Sequence, residues 1–222
     1  MADLYHYPLD AFGRIARIYL KEKSIDFQPI EDQPWQRKRT FNEFQMFSDL
    51  PALELSNKTV LQGIDSIINH FEKNSRYASL FGSTENEIQE AHRIASLFNI
   101  YFFAEVTNNI VFEKVIKKYV DRSSPDSSSI RKGSANIKKY FDYIDWLTDC
   151  RNWLAGDNFT LADISAAAHI SCLDYLGAIE WSNYPKTKEW YARIKSRPSF
   201  REILQDRISN IKPADHYDDL DF

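Results

Sequence analysis

Over residues 3–7, Leu4 and His6 fall on one side of an extended chain and Tyr5 and Tyr7 on the other. That period of two predicts a short strand, which Pro8 ends. From Asp10 to about Lys23 the period lengthens. Phe12, Ile15, Ala16, Tyr19 and Leu20 fall on one face of a helix that Asp10 can cap. Residues 25–30 predict a second strand, closing a βαβ unit. Residues 34–47 are polar and predict a loop and a short helix. Residues 52–55 and 59–61, parted by a turn at Asn57 and Lys58, predict a tight hairpin. Pro51 just ahead of it cannot donate to a ladder, so it belongs at an edge, a bend or a cis bond. Ile64, Ile67, Ile68 and Phe71 then mark one face of a helix over 63–74. The order over residues 1–76 is βαβαββα.

The second half is helical throughout. After a linker at 76–83, Ile94, Leu97, Phe98, Tyr101, Phe102, Ile110, Val111, Val115 and Ile116 predict one long helix over 84–120. The Ser-rich stretch 121–129 breaks it. A second long helix is predicted over 130–154, and two shorter ones over 184–196 and 198–208. Between them lies GDNFTLADISAAAHISCL, from Gly156 to Leu173. Thr160 with Asp163 three residues on is a capping-box pattern, with Asp for the usual Glu. The helix it opens is apolar nearly all round, so it belongs in a core. His169 on it reads as a core histidine. Residues 84–209 form an all-α domain, and an acidic tail follows at 210–222.

Composition narrows the classes. With 222 residues and 43% hydrophobic content the chain can bury one large core or two modest ones. A net charge of −4 offers no global basic field for nucleic acid. Cys150 and Cys172 make no disulfide framework and suit a reducing cytosol. No leader pattern and no long uncharged apolar run argue for membrane insertion. His6, His70, His92 and His216 show no metal spacing with Cys or carboxylates. Glu22, Glu105 and Glu113 read as solvated or interface positions on helix faces.

The run Trp153-Leu154-Ala155-Gly156-Asp157, Phe159-Thr160, Ala162-Asp163-Ile164 resembles the central-helix motif of the glutathione-transferase superfamily. The resemblance implies a thioredoxin-like α/β N-terminal domain followed by an all-α C-terminal domain, with Pro51 cis and holding a peptide-like ligand. It also implies two chemical requirements. One is a hydroxyl or thiol near the end of the first strand, to hold the glutathione sulfur as thiolate. The positions where serine- and cysteine-type relatives place it hold Asp10, Ala11 and Gly13, and the tyrosine position matches His6. Tyr5 or Tyr7 could substitute if the register shifts by one. The other requirement is a Glu/Gln-Ser pair at a helix N-terminus, to bind the γ-glutamyl carboxylate. That pair falls on Gly63 and Ile64, with Asp65 adding negative charge. The expectation is a degenerate glutathione site without catalytic residues, and no cofactor. The rival is a glutathione-dependent enzyme with an atypical active site.

Two stretches have no transferase explanation. Trp35 stands beside Arg37, Lys38 and Arg39, a combination favoured in interfaces. The ending interleaves Asp215, Asp218, Asp219 and Asp221 with Tyr217, Leu220 and Phe222, which suggests a segment that docks on its own body or on a partner. LYHYPLDAFGR, Trp35 and HYDDLDF are similar to the glutathione-transferase-like cell-division proteins of alphaproteobacteria. That resemblance implies a cytoplasmic homodimer at the division site. It would bind and bundle or curve FtsZ filaments, and its tail (Asp218, Asp219, Leu220, Phe222) would contact a further division protein. A domain that recruits a partner through the tail alone is a third reading.

Overall fold

The computed structural model describes residues 1–33, 35, 50–73 and 78–220. The chain divides into two compact units, Met1–Ala78 and Ser79–Phe222. In the first, strand β1 (Ala2–His6) pairs parallel with β2 (Phe27–Glu31) and antiparallel with β3 (Ala52–Glu54), which pairs antiparallel with β4 (Val60–Gln62). The sheet order is β2-β1-β3-β4. Helix α1 (Ala11–Glu22) buries Ile15, Ala16, Ile18, Tyr19 and Leu20, and α2 (Ile64–Glu72) buries Ile64, Ile67, Ile68 and Phe71. The α2 face is the one the apolar spacing marks; on α1, Ile15, Ala16, Tyr19 and Leu20 are buried as expected, but Phe12 is only half-buried and Ile18 is buried outside the expected face. Tyr19 ties the two helices together by donating to Glu72 Oε1 at 2.9 Å. The Leu50–Pro51 peptide is cis, as the resemblance implied. The second strand starts two residues later than predicted. The loop and short helix predicted over 34–47 lie outside the described residues, apart from Trp35.

In the second unit the rod predicted over 84–120 is helical, but not one α-helix. Helix α3 (Glu85–Ser96) passes into a π-helix over Leu97–Thr107, then α4 (Asn108–Val111), a second π-helical stretch over Phe112–Ile116, and α5 (Lys117–Val120). Thr84 and Glu87 cap its start in a reciprocal box. Helix α6 (Ser127–Cys150) begins three residues earlier and ends four earlier than predicted. Asp126 is the reason for the early start: its carboxylate accepts from the Ser128 and Ser129 N–H groups at 2.9 and 3.3 Å. At the other end, Trp153 and Gly156 close a small bridge and leave the helix.

Helix α7 (Leu161–Tyr175) is buried at every residue, and Thr160 caps it as expected. Its hydroxyl accepts from Ala162 N–H at 3.3 Å, while Asp163 Oδ2 accepts from Thr160 N–H at 3.1 Å. A short 3-10 turn (Trp181–Asn183) leads to α8 (Pro185–Lys195) and α9 (Pro198–Leu204), the latter shorter than the predicted 198–208. Of the glutamates expected at solvated or interface positions, Glu105 keeps 38% of its side chain exposed, whereas Glu113 is not solvated. Glu113 is buried and accepts from Asp126 N–H at 2.6 Å and Lys117 at 2.8 Å, closing the Ser-rich loop. Glu105 accepts from the Tyr140 hydroxyl at 2.8 Å. Among the described residues no helix is long and apolar enough to cross a membrane.

Candidate functional site

The end of β1 and the start of α1 meet in a tight turn, where Asp10 N–H donates to Tyr7 O at 3.0 Å. Asp10 is spent on the helix itself. Its Oδ2 accepts from Gly13 N–H at 2.6 Å, the N-cap geometry. Burial pushes this carboxyl up to about 6, against the pull of the Gly13 and Phe12 N–H groups and Arg14. Gly13 lies against the strand: a Cβ there would stand 3.2 Å from His6 Cβ and 3.3 Å from Tyr7 O. A serine or cysteine at this position would need its neighbours to give by a few tenths of an ångström. His6 is 4% exposed, and its Nδ1 has no hydrogen-bond partner among the described residues. Burial first, then Arg17 and Arg14, push the imidazole down to about 3, so it is neutral near pH 7.

The substitute hydroxyls fare no better. Tyr5 is half-buried, and its hydroxyl is shifted up by burial, Glu54 and Asp3. Activation of a thiol needs the opposite shift or a neighbouring base. Tyr7 is buried, with its ring edge-on to Trp35 at 5.1 Å. Across the sheet, Gly63 caps α2 with no side-chain bond, and its N–H donates to Pro51 O at 2.9 Å. Ile64, the other half of the expected pair, is buried in apolar packing, and Asp65 stands exposed in the first turn. Pro51 and Gly63 are thus joined through the backbone alone, and neither Gly63 nor Ile64 offers a side-chain donor at the start of α2.

The two unit models and the full-length relatives decide the family. Two family models match different parts of one architecture: the glutathione S-transferase N-terminal domain model covers residues 11–74, and the C-terminal domain model covers residues 107–198. FtsZ-localized protein A of Caulobacter vibrioides is 35% identical over 99% of this chain and 97% of its own. The chain belongs to the glutathione S-transferase family. Its fold is the glutathione S-transferase fold, matched by a chain from Rhodospirillum rubrum described as a glutathione S-transferase (39% identity, TM-score 0.95, all of both chains). FzlA from C. crescentus matches with 35% identity and a TM-score of 0.93, over 100% of this chain and 99% of that one.

Within this transferase fold the remaining sequence-marked residues fall into separate places. Trp35 is half-buried against Tyr7, while its neighbours Arg37, Lys38 and Arg39 lie outside the described residues. The acidic stretch docks on its own unit as far as it is described. Tyr217 is fully buried, and Asp218 pairs with Arg207 at 2.7 Å on the surface. Asp219 and Leu220 are exposed; Phe222 is outside the described residues. Thr160 and Asp163 are structural. Asp163 Oδ1 also accepts from Leu154 N–H and Trp190 Nε1, each at 3.0 Å. The family motif thus joins the 153–157 turn, α7 and α8 through one carboxylate. Sequence reasoning missed the partners His216 and Asp174, whose side chains meet at 2.8 Å across 42 residues of chain.

Proposed function

We propose that this protein is a non-catalytic glutathione S-transferase relative that binds FtsZ filaments and bundles or curves them at the division site. The observation that carries the partner is full-length similarity to a protein named for its localisation with FtsZ. The geometry of the β1–α1 turn supports the absence of transferase chemistry: the cap carboxylate of Asp10, the crowded Gly13 and the neutral, buried His6 occupy the activating positions. Trp35, together with Arg37, Lys38 and Arg39, is the proposed filament contact. Asp218, Asp219, Leu220 and Phe222 are the proposed contact for a further division protein.

A homodimer follows from the same reading, because two-fold symmetry presents one patch to two filaments. The second unit carries exposed apolar residues that suit such an interface: Ile100, Tyr101 and Trp146, the last stacked on Tyr143 at 5.8 Å. Pelleting with GTP-assembled FtsZ tests the partner, and filaments that leave this protein in the supernatant at micromolar concentration would refute it. The second reading, a glutathione-dependent enzyme using Tyr5 or Tyr7, is favoured by the similarity to the R. rubrum chain. Glutathione titration with a thiol-transfer assay separates the two: binding with turnover supports the enzyme.

A further inference from the structure

The described part of the acidic stretch closes over buried charge. Ile208 N–H donates to the Tyr175 hydroxyl at 3.0 Å, that hydroxyl donates to Ile211 O at 2.9 Å, and Ala214 N–H donates to Tyr175 O at 3.0 Å. Three residues on, the Tyr217 ring is fully buried, edge-on to Tyr175 at 5.0 Å, and its hydroxyl donates to Ile203 O at 3.1 Å. Beneath it lie Asp174 on α7 and Lys195 on α8, both with wholly buried side chains and 3.9 Å apart. Asp174 Oδ1 accepts from Trp181 Nε1 at 2.8 Å and meets His216 Nε2 at 2.8 Å. Lys195 donates to His216 O at 3.4 Å. Buried charges are tolerated only when paired and bonded, and His216 supplies part of that pairing from outside.

We propose that residues 214–220 form a proton-operated latch: a charged His216 holds the segment over the Asp174–Lys195 pair, and loss of that charge loosens it. The proposal is independent of the FtsZ reading. His216 is 35% exposed at its side chain, so protons reach it while its partner stays dry. It faces Asp174 from α7, Lys188 and Lys195 from α8, Trp181 from the 3-10 turn, and Asp215 beside it in the segment. The bond to Asp174 dominates burial and the two lysines, and the imidazole is shifted up from 6.5. A base raised in the closed state contributes stability that is fully present below 6.5 and is lost as pH rises through the closed-state value. Above it a neutral imidazole still bonds Asp174, and Tyr217 keeps its apolar grip. The latch therefore loosens rather than unfolds. Burial under the closed segment pushes the Lys195 ammonium down to about 8; opening removes that burial and gives reagents access to an amine that is otherwise wholly enclosed.

Hydrogen exchange on the full chain tests this, read on the peptide holding the Ala214 and Tyr217 N–H groups and corrected for intrinsic rates. Between about pH 6 and about pH 8, protection is expected to fall about fivefold in the wild type, the difference between a charge-assisted and a neutral bond. In His216→Gln, which can donate but not titrate, protection is expected to stay level. Acylation of Lys195, measured against the exposed Lys138, is expected to be slow in the wild type and several times faster in Tyr217→Ala. Level protection in the wild type, an equal fall in His216→Gln, or an equally inert Lys195 in Tyr217→Ala overturns the latch.

Discussion

Asp163 accepts from the N–H groups of Leu154, Thr160 and Trp190 while wholly buried. An amide in its place turns one acceptor into a donor facing a donor. Asp163→Asn is expected to lower stability by about 2–3 kcal/mol in urea unfolding. His169, also wholly buried, bonds Thr107 Oγ1 through Nδ1 at 3.0 Å, and burial alone pushes it down to about 3. The unfolded chain binds a proton here that the folded chain refuses, so this group's contribution is present above 6.5 and lost as pH falls toward 3. Stability measured across that window is expected to drop more steeply in the wild type than in His169→Gln; parallel slopes would contradict it. At Asp10, removal of the cap in Asp10→Ala is expected to cost about 1 kcal/mol.

At the scale of elements, the apolar periodicity located the described helices, because burial on one face is what that period measures. It did not reveal the π-helical winding of the Glu85–Val120 rod. Ile94, Phe98, Phe102, Val106 and Ile110 are all buried and recur every fourth residue, a spacing that shares a face in an α-helix as well and so carries no mark of the wider turns. The start of α6 was misplaced because serines read as loop, whereas Asp126 converts them into a capped first turn. Gly133 on α6 marks a close approach to the rod, since a Cβ there would meet Ile110 Cγ1 at 2.9 Å. Gly133→Val is expected to destabilise by about 2 kcal/mol through overpacking, and an unchanged denaturation midpoint would refute that close contact.

For the whole molecule, the residues at the family's expected activating positions were legible because those positions are fixed by motif, and Asp10, Gly13, Gly63 and Ile64 stand there in plain view. The structure adds that Gly13 is crowded, a Cβ there needing its neighbours to give by a few tenths of an ångström, and that Asp10 caps a helix. The Asp174–Lys195–His216 cluster was not legible, since it joins three distant segments and no local spacing announces it. A dimeric scaffold is expected to run in light scattering at twice the 26.0 kDa chain mass. The most direct test of the central claim is pelleting with GTP-assembled FtsZ from the same organism, comparing wild type, Trp35→Ala and Asp163→Asn as a folding control held at a temperature where it stays folded. The account predicts that wild type and Asp163→Asn pellet with filaments and that Trp35→Ala stays largely in the supernatant. Wild-type protein that does not pellet, alongside measurable glutathione turnover, would contradict it.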